Sequence, residues 1–295
     1  MFDIISAILI AGLTMGALYA LATIGLSLVW GSMGMLNMAH AAMLTLGGYA
    51  AFTFSSALGL PVFVGFAGAI LVGAVAGGLL YFLIVRNLLK GDKPTFESSV
   101  MIATVGVGIA LENAILLVFG GQPLKQPIST SGSLALGPVS VPYQNILIVF
   151  VVIVLMVLIA LLLGRTRMGR AIRATAQSRE TAQLMGVAVN RVYFQVLVLS
   201  GAIAGVCGVM VSSMTQLSPP LGNDPMLKAF IMCVVAGLGN LPGAVAAAFG
   251  LALLEAFVQY AAGARWGFPT LLFVVIAVLI WRPAGLFGRT QIRRM

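Results

Sequence analysis

Two carboxylates stand in stretches that otherwise carry little but hydrocarbon: Glu112 in TVGVGIALEN and Glu255 in GLALLEAF. A charge at bilayer depth is costly and marks a functional site or a bonded partner. Either acid can tie two helices together, protonated or hydrogen-bonded, or can face the ammonium of a substrate; the interhelical reading is the favoured one for both. Asn37 and His40 form a second polar pair, in an apolar stretch broken by Gly31, Gly34, Gly47 and Gly48. They either satisfy backbone groups freed by a helix break or line a path through the membrane. A third set is basic: Arg165, Arg167, Arg170, Arg173, Arg179 and Arg191, against Glu180 alone, within residues 164–191.

Catalytic and metal-binding patterns are missing. There is no GxxxxGK[ST] phosphate loop and no HExxH or GxSxG. Cys207 and Cys233 lack metal-ligand spacing, and His40 is the single histidine. No enzyme, no cofactor and no metal site is expected, and any ATP hydrolysis falls to another chain.

The elements that position these residues follow from composition. The chain has 295 residues, 61% hydrophobic and 8% charged, with a mean hydropathy of +1.11. Soluble domains carry about 25% charged residues. A bilayer core of about 30 Å takes roughly 20 apolar residues per helix, which leaves room for about eight to ten spans and no soluble domain. The expectation is one all-α, polytopic transmembrane domain over residues 1–295, with a discontinuous second helix. The net charge of +9 sits in short loops, so it sets orientation and gives no nucleic-acid face. The N-terminus lacks a positive n-region and reads as a retained first span.

In chain order the spans are 4–30, the broken stretch 31–58, 62–85, 96–119, 143–163 and 191–214. A short helix over 226–238, a helix over 244–260 and a last span over 270–281 follow. Thr95 is the expected N-cap of the fourth span and Asn190 of the sixth. The stretches 86–93, 164–191 and 282–294 hold thirteen of the sixteen basic residues. The positive-inside rule puts them in the cytoplasm, and puts loops 120–142 and 215–225 outside. Nine crossings and an external N-terminus result if the broken stretch crosses; a re-entrant stretch at 31–48 would change the parity. The broken stretch and GLGNLPG (237–243) form a loose echo between two halves, of the kind that points to a conduction site.

Within 164–191, residues 171–185 predict a short helix closed by Gly186 at C′. Arg170, Arg173, Gln177 and Thr181 share a polar face; Ala171, Ala174, Ala182 and Met185 share a less polar one. From the pattern alone, a solvated loop whose arginines fix topology is favoured over a docking helix.

Four stretches resemble the permease subunits of branched-chain amino-acid ABC transporters: ALYALATIGLSLVWGSMGMLNMAHA (17–41), TVGVGIALEN (104–113), TRMGRAIRATAQSRETAQLMGVAVNRV (166–192) and KAFIMCVVAGLGNLPGAVAAAFGLALLEA (228–256). The resemblance covers nearly the whole chain. It departs at Ala41 and Ala42, where glycine and often an acid follow the histidine, and at Ala236 and Ala248. Those departures leave the substrate open among branched-chain amino acids, urea, short amides, other amino acids and aromatic acids. What the resemblance implies is an inner-membrane importer component that works with a second permease subunit, two cytoplasmic ATPase subunits and a periplasmic substrate-binding protein. It also implies that the 171–186 helix docks on the ATPase, with Arg170, Arg173, Gln177, Arg179, Glu180 and Gly186 at the contact. The rivals from the residues alone are an ATP-independent secondary transporter and a structural membrane subunit.

Overall fold

The computed structural model describes residues 2–89, 93–127, 132–136 and 139–288. Lys90, Arg289, Arg293 and Arg294, which entered the charge count, lie outside them. Helix α1 runs Phe2–Met33 and α2 His40–Phe52, the latter prolonged by a π-helical turn, Thr53–Ala57. Helix α3, Val62–Leu80, continues through a second π turn, Tyr81–Val85, into α4, Arg86–Leu88. Helix α5 is Lys93–Phe119 and so begins ahead of Thr95. The antiparallel pair β1 (Ser133–Leu136) and β2 (Val139–Pro142) leads to α6, Tyr143–Arg165. Then come α7 (Arg167–Gln177), α8 (Arg179–Leu184), α9 (Val189–Met214), α10 (Asn223–Ala236), α11 (Leu241–Ala262) and α12 (Gly267–Trp281).

Seven of these helices are long and apolar enough to cross a membrane. The α2 and α10 segments are shorter, and each is completed by a non-helical stretch. Two contacts fix their depth. Ser200 Oγ on α9 donates to the Gly25 carbonyl on α1 (2.9 Å), and Cys207 Sγ approaches the Leu18 carbonyl (3.9 Å), so α1 and α9 run antiparallel. His40, the first residue of α2, packs against Gly25, well inside the end of α1 at Met33. After α1 the chain therefore turns back through residues 34–39 to mid-depth before α2 starts. Residues 215–222 repeat this from the other side. The Gly222 amide donates to Thr45 Oγ1 (2.9 Å), which starts α10 at the level of the first turns of α2.

The packing is that of an inverted repeat. Helix α3 lies on α9 as α11 lies on α1; α2 packs on α9 as α10 packs on α1. The backbones meet at small residues: Gly73 and Gly77 on Gly201 and Leu197, and Gly12 and Gly16 on Leu253 and Phe249. Small residues let helices approach where lipid gives no hydrophobic drive. The partner of GLGNLPG is thus the turn LGLP (58–61), not the broken stretch. Gly59 and Gly239 both have positive φ, and Pro61 and Pro242 both sit at a helix start.

The break is also narrower than the glycine spacing suggests. Gly31 lies within α1, and Gly47 and Gly48 lie within a continuous α2. A Cβ on Gly47 would meet the Gly205 backbone, and one on Gly48 the Gly208 carbonyl. Those glycines permit close packing of α2 on α9; only residues 34–39 leave the helix.

Candidate functional site

The mid-depth crossing is built from local bonds. Asn37 is buried; its Oδ1 accepts the Ala39 amide (3.1 Å) and its Nδ2 approaches Met43 Sδ (3.7 Å). The Met38 amide donates to Thr104 Oγ1 on α5 (3.1 Å), and the His40 amide to the Asn37 carbonyl (3.3 Å). Irregular backbone at this depth survives only when its polar groups are satisfied inside the protein. Asn37 does that work for its own bend. His40 is 0% exposed, and neither ring nitrogen makes a hydrogen bond, although the Ala22 carbonyl on α1 lies near enough to interact. Neither side chain opens onto the surface of this chain.

Around α10 the chemistry is ionic. Lys228 Nζ donates to Tyr19 Oη on α1 (2.7 Å) and to Glu255 Oε1 on α11 (3.1 Å). It also pairs with Asp224 Oδ2 one turn back (3.3 Å). Gln259 Nε2 gives Glu255 Oε1 a further bond (3.1 Å), and the ammonium lies 4.9 Å from the Tyr19 ring centre. The cluster joins α1, α10 and α11. Asp224 belongs to the first turn of α10, not to an external loop, and its side chain is 69% exposed. Sequence reasoning placed Glu255 and overlooked Lys228 and Tyr19. The signal was a lone lysine in an apolar helix, with a lone acid in the next.

Glu112 behaves differently. It sits half-buried on α5 with no hydrogen bond or ion pair among the described residues. Asn113 beside it is exposed, and its Nδ2 donates to the Ile109 carbonyl (2.8 Å).

The basic arm is two helices, not one over 171–185. Thr166 caps α7 by accepting the Gly169 amide (3.0 Å). Ser178, in extended conformation, caps α8 by accepting the Thr181 amide (3.2 Å). A serine with Glu180 in the following turn is a helix-start signal that overrides continuation. Gly186 is the C′ residue of α8, at φ +81°. Its amide donates to the Gln183 carbonyl (3.0 Å) and that of Val187 to Ala182 (2.9 Å), a Schellman pair. Asn190 caps nothing, because the chain bends at Ala188 and α9 begins at Val189.

The inner face of the arm, Ile172 and Ala182, packs with Leu28, Met33 and Met35 and with Val189, Val192 and Tyr193. It thus abuts the end of α1 and the break. Arg173 Nη1 donates to the Leu163 carbonyl at the end of α6, and Arg179 lies 5.9 Å from the Tyr193 ring centre. Arg170, Arg173, Gln177 and Glu180 are on the exposed side. At the tip Leu184 and Met185 are 88% and 80% exposed, an apolar knob that the polar-face reading missed.

Comparison with known proteins agrees in extent. Residues 8–282 match the family described as branched-chain amino acid transport system / permease component. The high-affinity branched-chain amino acid transport system permease protein BraD of Pseudomonas aeruginosa is 30% identical, over 97% of each chain. LivH of Escherichia coli K12, of the same description, is 28% identical over 96% of each. LivM of Salmonella typhimurium is 25% identical, over 94% of this chain and 69% of that one.

Proposed function

This chain belongs to the family of permease components of branched-chain amino acid transport systems, and on that premise we propose that it carries branched-chain amino acids through an ATP-driven importer. Its partners are a second permease subunit, two ATPase subunits and an external binding protein. The observation that carries the reading is the match over residues 8–282, in a bundle whose two halves both break at mid-depth. Broken helices paired across an inverted repeat are where transporters of other folds bind and pass substrate.

Each group has a task. The arm receives the motion of the ATPase. Arg170, Arg173, Gln177, Arg179 and Glu180 fix its shape and charge, Gly186 sets its end, and Leu184 with Met185 enters the partner's groove. An exposed apolar knob on a polar arm suits a docking contact. Because the arm packs on α1, α9 and the break, movement at its tip reaches mid-depth as a rigid displacement. Asn37 holds the bend at the path, and His40 packs beside it on Gly25, neither touching substrate. Glu112 and Asn113 face the second permease subunit, since a lipid-facing carboxylate is expensive. Glu255 binds α11 to α10 and α1.

The test is uptake of labelled leucine into proteoliposomes holding this chain with its neighbouring permease, ATPase and binding protein. ATP-dependent uptake is expected. Uptake driven by an ion gradient with this chain alone would overturn the importer reading; ATP-dependent uptake of urea or amides but not leucine would overturn the substrate. Leu184→Asp with Met185→Asp, or charge reversal at Arg179, should leave ATP hydrolysis running while uptake falls about tenfold or more, the loss of ~1.4 kcal/mol of coupling.

A further inference from the structure

On the cytoplasmic half of the bundle, α6 and α11 both lean on α1 but scarcely on one another. Between them is an open cavity of about 1020 Å³. Its walls are apolar: Gly31 on α1, Ile159 and Leu163 on α6, Val245 on α11. That volume is at the top of the range for small-molecule pockets, about 300–1,000 Å³. Of its polar lining residues, Ser32 and Asn240 are spent on the Leu28 and Phe287 carbonyls, and the other two, Arg173 and Ser27, are set at different depths. Arg173 closes the cytoplasmic end; one of its nitrogens is held by the Leu163 carbonyl, which leaves the guanidinium fixed, exposed and with donors to spare. Ser27 lies one turn in from Gly31, ~6 Å deeper. It is buried, lines the cavity, and its Oγ has no hydrogen-bond partner. A serine within a helix usually returns its proton to the carbonyl four residues back. Here that carbonyl, of Thr23, is approached by Cys233 Sγ at 3.7 Å.

We propose that this cavity is a binding site for an anionic diacyl phospholipid of the cytoplasmic leaflet. The phosphate lies on Arg173, the glycerol ester oxygens are within reach of Ser27 Oγ, and an acyl chain fills the slot between α6 and α11. Charge chooses the occupant. A cation fixed at the mouth of an apolar, open slot on the basic side of the membrane matches an anionic headgroup with its tail, as basic pockets between helices do. A zwitterionic lipid gains less, because its ammonium would lie against the arginine. The lipid would brace α6, which is otherwise a peripheral helix, against α7 at the root of the arm. The inference rests on the chain lying in a bilayer and not on its cargo.

The experiment purifies the full importer complex in mild detergent and quantifies retained lipid by mass spectrometry. Mixed phosphatidylglycerol and phosphatidylethanolamine are offered in equal amounts. Retention of phosphatidylglycerol over phosphatidylethanolamine is expected. Ala160→Phe, which fills the slot, should lower retention of phosphatidylglycerol about tenfold. Arg173→Gln should abolish the preference for the anionic lipid. Leu158→Phe, on the outward face of α6, should change nothing, and a single size-exclusion peak for each variant shows that it is folded. Retention in the bulk ratio, or retention unaffected by both Ala160→Phe and Arg173→Gln, overturns the site. Lipid absent from the wild type but gained on deletion of residues 290–295 would give the cavity to the chain's own tail, and overturn it equally.

Discussion

The start of α2 and the start of α10 lie side by side at mid-depth, in equivalent places of an inverted repeat, and are held by different forces. Helix α2 is held by contact. Gly47 and Gly48 bring it onto Gly205 and Gly208 of α9, and the ring nitrogens of His40 make no hydrogen bond. Helix α10 is held by charge. Lys228 reaches across to Tyr19 and Glu255, and Asp224 completes the set. The same backbone course can therefore be stabilised by packing or by ion pairing. The two fail differently. A packed start fails when volume is added, and a charged one when a partner is removed.

The largest effect expected is at Lys228. Lys228→Met leaves the nearly buried Glu255 carboxylate without its cation and should cost ~3–5 kcal/mol. Thermal unfolding of the purified complex would show it as a marked fall in Tm. Adding Glu255→Gln should restore much of the loss. If the double variant is no better than the single, the cluster is not an ion pair that pins α10.

Next comes Gly208→Ala. A Cβ there would lie 1.8 Å from the Leu44 carbonyl oxygen, so α2 must move off α9. Overpacking of this kind costs ~1–3 kcal/mol. An unchanged Tm would mean that α2 is not held by close approach. Gly106→Ala on α5, where nothing lies within 4 Å, is the matched control.

His40→Leu should be nearly neutral or stabilising by up to ~1 kcal/mol, because it removes buried ring nitrogens that make no formed hydrogen bond, with only the Ala22 carbonyl near them. Stability kept with transport lost would move His40 from scaffold to substrate contact. The smallest effect is expected at Glu112→Gln, with uptake and Tm both close to wild type. Complete loss of uptake would make the acid of the first half functional, and would narrow the contrast with Glu255.

Much of this architecture was legible in the chain. Apolar runs located the long helices, and the glycines between 31 and 48 announced a break. A glycine that bends a helix and one that lets two helices touch look alike in sequence, so glycine spacing overstates the break. Gly34, at φ +66°, does the first; Gly47 does the second. The repeat is visible as LGLP and LGNLP, a pairing of turn with turn rather than of turn with break. The arm's charges were plain; its division at Ser178 was signalled by a cap, and its apolar tip could not be told from an inward-facing one.

The sequence by itself determined the membrane class and the place of the basic arm between two long helices, because both depend on composition summed along the chain. Only the tertiary structure decided which polar groups meet. Lys228 and Glu255 are 27 residues apart, and Tyr19 and Lys228 are 209 apart. Their encounter depends on the depth at which α10 begins, and that is set by a turn-back held through Gly222 and Thr45. Hydropathy fixes that a segment is buried in the bilayer, but it carries no information about its neighbours, because every helix there presents the same hydrocarbon.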